Sequence, residues 1–365
     1  TDANKVGNKM IGIAYINLDK KDYIIENINK LVCNKEYDNV FWEEALIENG
    51  KMLLNAKIVS SSEFFEINTY EELRKIDSKS NSLNNDAMEI IKDVFFASND
   101  EIQNIKVLKK GMTNSSFLFE CKKEKYIMRI PGSGTDQLIN RKEEFDVYNT
   151  IKETGICDDI YYINYENGYK ITKFLNDARV CDSDNKNDLK LCMQLLKKFH
   201  NLNLKVNHEF NIYKQIEFYE DLWNGKESAY KDYKVTKQNV FSLKEFINSN
   251  IEKKCLTHID AVPDNFLFSN NEIKLIDWEY AGMQDPHVDI AMFCIYSLYD
   301  KEQIDKLIDI YFDNKCQYKI RLKIYSYIAT CGLLWSNWCE FKSHFGIDFG
   351  EYSLKQYRYA KEYYR

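Results

Sequence analysis

The sequence predicts an α+β chain: a small α/β segment, then a β-rich lobe, then a helical lobe. Three observations carry this reading. Strand patterns broken by short polar loops run from residue 105 to 175, and apolar residues at helical spacing dominate from 188 to the end. Within the helical part, residues 255–282, CLTHIDAVPDNFLFSNNEIKLIDWEYAG, join a loop, a hairpin and an acidic strand end.

That stretch carries the chemistry. His258, Asp260 and Asn265 stand as H-x-D-x-x-x-x-N, the spacing of the protein-kinase catalytic loop, where the Asp meets the substrate hydroxyl and the Asn a metal ion. Residues 266–268 and 273–276 alternate or run apolar around Ser269, Asn270 and Asn271, which have the composition of a hairpin turn. A hairpin returns the chain beside the loop and brings Asp277 to Asn265, so that a carboxylate and an amide oxygen can share magnesium on a triphosphate. Asp277, Trp278 and Glu279 stand where kinases carry Asp-Phe-Gly; the third residue is not Gly, which marks a relative of that family and not a member. Any one of these residues alone reads as turn chemistry, but the ordered set does not. His258 is expected to brace the loop by hydrogen bonding, since phosphoryl transfer needs only one base.

HIDAVPDNFL, LIDWEYAG and DPHVDIAMF together resemble the choline and ethanolamine kinases and, more distantly, the aminoglycoside phosphotransferases, from about residue 105 onward. The resemblance implies a protein-kinase-like two-lobe fold, with a β-rich N-lobe over 86–175 and a helical C-lobe over 176–365. It also implies ATP and Mg2+ as cofactors, and a small amine-bearing alcohol as substrate.

Composition narrows the alternatives. A chain of 365 residues is long enough for two or three units with ample core. The formal net charge of −7 disfavours nucleic acid as a partner and suits a cationic small substrate. Ten cysteines occur as scattered singles with no C-x-x-C pair, so neither a zinc site nor a disulfide framework is expected. Buried reduced thiols in a cytoplasmic protein are the expectation. The longest apolar runs, 290–298 and 324–335, fall short of the roughly 18 residues of a membrane span, and no signal peptide is read at the start. Nothing in the pattern sets an oligomeric state.

Residues 1–80 do not read as kinase. A strand is expected at 10–16, a helix over 23–31, an amphipathic turn from Phe41 to Leu46 and a strand over 55–59. A turn into a helix follows, with Thr69 as N-cap and Glu72 at the capping-box position. This segment resembles the last part of a sugar-type nucleotidyltransferase; the resemblance makes Glu66 and Asn68 remnants of a metal-binding edge in a unit unable to transfer a nucleotidyl group alone. The polar run 78–85 reads as a linker and 86–96 as a helix.

In the N-lobe, strands are expected over 105–108, 116–121, 125–130 and 168–175, and a helix over 140–151. The polar loop after the first strand can lay backbone N–H groups over phosphates. Its G-M-T-N run is similar to the choline kinase loop, which makes Gly111, Thr113, Asn114 and Ser115 cofactor-binding residues. Arg129 occupies the position of the basic residue that reaches the α- and β-phosphates, and Glu144 on the helix is its expected ion-pair partner.

In the C-lobe, 188–200 reads as a strongly apolar core helix, 212–247 as a long helical stretch and 290–299 as a further helix, with Asp289 either capping it or bracing the catalytic loop. The resemblance assigns Asp260 to the substrate hydroxyl, Asn265 and Asp277 to the metal, and Glu279, Tyr296, Trp335, Trp338 and Tyr352 to the cationic head of the substrate. Choline is the favoured substrate. Ethanolamine, an aminoglycoside, or a catalytically silent kinase-like binding module are the alternatives; the intact His258, Asp260, Asn265 and Asp277 argue against the last.

Overall fold

In a computed structural model the described residues are 16–33, 42–48, 51–52, 57–60, 85–108, 114–132, 138–269, 272–344 and 346–364. Contacts divide the chain into two units, Thr1–Ser82 and Leu83–Arg365.

In the first unit, α1 (Lys21–Val32) turns Ile24 inward, and a short 3-10 turn, Trp42–Leu46, buries Ala45 and Leu46. Asn27 Nδ2 ties the two together by donating to Ala45 O at 3.2 Å. A two-residue ribbon pairs β1 (Ile47–Glu48) with β2 (Lys51–Met52). Residues 57–59 form no strand, contrary to expectation: a strand needs a partner for its backbone groups, and among the described residues none lies beside them. The expected strand at 10–16 (save Ile16), Glu66, Asn68, the Thr69–Glu72 cap and the 78–85 run (save Asn85) lie outside the described residues.

The second unit opens with α2 (Asp86–Phe95), capped by Asn85 Oδ1, which accepts from Met88 N at 3.0 Å. An antiparallel five-stranded sheet follows, made of β3 (Ile102–Val107), β4 (Asn114–Cys121), β5 (Glu124–Pro131), β6 (Ile160–Ile163) and β7 (Lys170–Lys173) in the order β3-β4-β5-β7-β6. The β4–β5 turn is two residues, Lys122 and Lys123, both at positive φ (51° and 67°), the twist that a tight antiparallel hairpin requires. Between β5 and β6, α3 (Arg141–Ile151) buries Val147, Tyr148 and Ile151, and its N-terminus is capped by Asn140.

The remainder is helical, with small β elements at the chemistry. β8 (Arg179–Val180) joins the hairpin of β10 (Phe266–Ser269) and β11 (Glu272–Leu275), while β9 (Cys255–Thr257) pairs with β12 (Gly282–Gln284). The helices are α4 (Lys186–Asn201), α5 (Ile212–Asp221), α6 (Tyr233–Ser249), α7 (His287–Tyr296), α8 (Lys301–Tyr311), α9 (Tyr318–Ser343) and α10 (Glu351–Glu362). The stretch 212–247, expected as one helical run, is two helices, because Asn224 and Gly225 take positive φ and turn the chain. The helix expected from 290 starts at His287, with Pro286 at its N-cap. α9 is the axis of this lobe, burying Ile324, Ile328, Cys331 and Leu333. At Gly332, α10 approaches so closely that a Cβ would lie 2.7 Å from Gln356 O and 2.8 Å from Tyr359 Cβ. All ten cysteines are unpaired, and all but Cys33 and Cys316 are buried. No helix among the described residues is long and apolar enough to cross a membrane.

Candidate active site

β9 ends at Thr257, and the loop that follows runs through Ile259 at φ 71°, a conformation that β-branched residues avoid. It is held from below. The fully buried Asp289 accepts from His258 N at 3.0 Å and from Ile259 N at 2.7 Å, and its Oδ2 lies 2.8 Å from His200 Nε2. The other ring nitrogen of His200 meets Tyr311 OH at 2.8 Å. Asp289 thus sits inside the first turn of α7 and braces the loop; it does not cap the helix. His258 ties the loop to the strand end, its Nε2 lying 3.0 Å from Ile276 O while its ring packs on Trp278 with centroids 4.4 Å apart. Burial pushes its pKa down to about 4, so the ring is neutral.

Asp260 follows on this loop. Asn265, at the end of a 3-10 turn, donates Nδ2 to Asp260 O at 2.9 Å and to Asp260 Oδ2 at 3.3 Å, which leaves its amide oxygen available for a cation. The β10–β11 hairpin pairs Phe266 with Leu275, and Ile276 N donates to Asn265 O at 2.9 Å, so Asp277 (φ 66°) begins next to Asn265. Burial first, then the charges of Asp277 and Glu279, push Asp260 up to about 8; burial and Asp277 push Glu279 up to about 7. Asp277 is raised by burial and drawn back by Lys170 and Arg129. Nothing in the sequence required a raised Asp260. Burial is the larger cause and the mutual charge of the three carboxylates the next, an arrangement that a divalent cation relieves.

On the sheet side, Arg129 of β5 makes a two-point pair with Glu144 of α3 and donates Nη2 to Gly168 O at 3.0 Å. Burial would raise Glu144, but Arg129, Lys170 and Arg141 outweigh it and hold the carboxyl at about 2. Sequence reasoning missed two of these cations. Arg141 reaches Glu144 Oε2 at 3.0 Å, Asn114 Oδ1 at 3.1 Å and Glu279 Oε2 at 3.5 Å; Lys170 donates to Tyr148 OH at 2.5 Å and lies 3.8 Å from Glu144. Arg141 was findable as the i−3 neighbour of Glu144 on a helix. Lys170 was not, because its place depends on its register opposite Arg129. Asn114 Nδ2 donates to Glu279 Oε2 at 3.0 Å, so Glu279 faces the sheet lobe. Ser115 lies beside Asn114 on β4, opposite Ile130, while Gly111 and Thr113 lie outside the described residues. Asp158, also missed, is buried near Lys170 and Arg129 with one carboxylate oxygen lacking a hydrogen bond.

On the helical side a group of aromatic rings forms. Trp335 meets Trp338 edge-on at 5.2 Å and Tyr280 at 6.1 Å; Trp338 meets Phe349 at 5.3 Å; Tyr296 meets Tyr352 at 6.1 Å. Tyr296 OH donates to Asp264 Oδ2 at 2.6 Å, and Trp335 Nε1 to Met292 Sδ at 3.3 Å. Burial holds the phenols of Tyr219, Tyr280, Tyr296 and Tyr352 above their ordinary range, and for Tyr296 the hydrogen bond to Asp264 adds to it. Tyr219, Tyr280 and Phe349 were not singled out from sequence, though Tyr280 follows directly on the Asp-Trp-Glu run.

The loop, hairpin and sheet-side residues of this site lie within residues 105–330, which match the choline/ethanolamine kinase family, while Trp335, Trp338, Phe349 and Tyr352 lie beyond that match. Protein LicA of Haemophilus influenzae is 29% identical over 262 residues, covering 67% of this chain and 76% of that protein. The crystal structure of choline kinase LicA from Streptococcus pneumoniae is 28% identical with a TM-score of 0.65, covering 76% of this chain and 98% of that one. A crystal structure of LicA in complex with AMP is also 28% identical, with a TM-score of 0.64 and coverage of 76% and 97%. The two-lobe architecture, the ordered His258, Asp260, Asn265 and Asp277, and a family match across more than half of its length establish that the chain belongs to the choline/ethanolamine kinase family.

Proposed function

We propose that this kinase transfers the γ-phosphoryl group of ATP to the hydroxyl of choline. The observation that supports the choice of acceptor is the group of aromatic rings on the helical side, Trp335 against Trp338 and Tyr280, and Tyr296 against Tyr352, with Tyr296 donating to Asp264 four residues after Asp260, because a quaternary ammonium binds to aromatic faces and has no N–H to donate. The nearby carboxylates are engaged, Asp264 by Tyr296 and Glu279 by Asn114 and Arg141, so a primary ammonium finds few free acceptors.

Asp260, its rotamer set by Asn265, orients the hydroxyl and takes its proton. Arg129, Arg141 and Lys170 gather around Glu144 and bring cationic groups to the phosphate side. Asn265 and Asp277 would hold magnesium, whose charge would offset that of the phosphates. Trp335 and Tyr352 receive the cationic head, with Tyr296 and Trp338 at its edge. The test is a phosphorylation assay with ATP and magnesium against choline, ethanolamine and an aminoglycoside. Preferred turnover of choline supports the reading; preference for another acceptor, or no turnover of any, overturns it.

A further inference from the structure

Lys342 lies in the last turn of α9, four residues after Trp338 and seven after Trp335, which puts the three on one face of the helix. Its side chain is buried, with only 9% of the residue exposed. Its ammonium lies 5.5 Å from the Trp338 ring centroid and 5.9 Å from that of Phe341, and among the described residues no hydrogen bond or ion pair to it is found. The carboxylate whose charge reaches it is Glu279, already bonded to Asn114 and Arg141. Trp338 meets Trp335 edge-on on one side and Phe349 on another. A lysine this little exposed whose ammonium rests on rings, with the nearby charge of Glu279 already engaged by Asn114 and Arg141, is unusual, since burial without a direct counter-charge is unfavourable.

We propose that Lys342 is a specificity-determining residue of the acceptor site: its ammonium is a tethered cation that occupies the face of Trp338, confines the cationic head of the acceptor to the Trp335 and Tyr352 side, and disfavours acceptors with a second positive charge. This rests on the amino-alcohol reading above. Two cations cannot share one ring face without repulsion, and in a partly desolvated pocket that repulsion is only weakly screened. The second amine of a diamine would have to approach Lys342, whereas choline carries one charge and fits on the remaining rings. The residue therefore separates singly charged from multiply charged acceptors by repulsion.

The experiment compares the parent with Lys342→Met, Lys342→Gln and Lys342→Arg on two hydroxyl-bearing acceptors, choline and N-(2-hydroxyethyl)-1,4-butanediamine, whose two amines are both protonated at neutral pH. Met keeps the apolar stem and removes the charge, Gln removes the charge with a polar end, and Arg keeps the charge. Both neutral variants are expected to lower KM for choline by about 3-fold and KM for the diamine by about 10-fold, the effect appearing in KM more than in kcat, while Lys342→Arg keeps the parental ratio of the two KM values. If choline is phosphorylated and the neutral variants leave that ratio unchanged, or Lys342→Arg changes it as much as they do, Lys342 is a packing residue and the inference fails alone. If the parent phosphorylates neither acceptor, the amino-alcohol reading fails and this inference falls with it.

Discussion

The Asp289 carboxylate accepts the amide of Ile259 at 2.7 Å, one residue before the proposed base Asp260 and at a backbone angle, φ 71°, that costs about 1–3 kcal/mol for a residue of this type. The loop that carries Asp260 is thus held by a buried acceptor on α7. Asp289→Asn would present an N–H₂ to one of the two loop amides or to His200. We expect kcat to fall about 10- to 100-fold, with KM for ATP changed less than 3-fold. Steady-state kinetics on a variant shown to be folded by circular dichroism checks this, and unchanged kcat would remove Asp289 from the positioning of the loop.

Asp260→Asn should leave nucleotide binding nearly intact and lower kcat by about a hundredfold or more, on the order of 3 kcal/mol in the barrier. Turnover within about tenfold of the parent would place the base elsewhere.

Asp277→Ala and Asn265→Ala should each raise the magnesium concentration needed for half-maximal activity, because magnesium tolerates little loss from its octahedral shell. A magnesium titration of each variant reads this directly. Curves that superimpose on the parent would take both residues out of the metal site.

Trp335→Ala should raise KM for choline by about 5- to 30-fold, matching about 1–2 kcal/mol for one desolvated aromatic face, and should leave KM for ATP within about 2-fold. Ethanolamine, assayed alongside, should lose less, since its N–H groups can find other acceptors. Equal losses for the two amines would make Trp335 a packing residue.

The two buried histidine rings should each cost stability in mild acid. Burial pushes both His258 and His287 down to about 4 from an ordinary 6.5. Between those values the unfolded chain takes up protons that the folded chain refuses, so the folded state loses stability as pH drops from 6.5 towards 4, by about 3 kcal/mol for each ring. Glu144, held at about 2, adds its own loss only below about pH 4.5. Urea midpoints measured at pH 7 and pH 4.5 test this. Because Asp260 and Glu279, pushed up to about 8 and about 7, gain stability over the same interval, the comparison is made in an Asp260→Asn, Glu279→Gln background. There the pH 4.5 midpoint should be lower, and a flat profile would mean that one or both rings are charged in the fold.

How much of this was legible in the sequence depends on how far apart the cooperating residues lie. His258, Asp260, Asn265 and Asp277 fall within twenty residues, and one hairpin brings them together, so spacing alone revealed them. The Arg129–Glu144 pair was legible from strand and helix positions shared with kinases. Lys170 was not, since only the pairing of β5 with β7 sets it opposite Arg129. Glu279, read as a substrate carboxylate, faces Asn114 and Arg141, a choice made by tertiary packing that no local pattern encodes. The same holds for the break between α5 and α6: Gly225 was visible, but the apolar spacing on either side of it masked the turn.

Gly332 has a consequence for how the proposed acceptor site can change. Its missing side chain is what lets α10 lie against α9, with Gln356 O and Tyr359 Cβ inside the space a methyl group would fill. Tyr352 rides on the first turn of α10, while Trp335 and Trp338 ride on α9. Swapping Gly332 for alanine would wedge the two helices apart and widen the gap between their rings without altering a single group that meets a ligand. Position 332 is in effect an adjusting screw for pocket width, where one methyl group could retune amine preference while the phosphate side stays as it is.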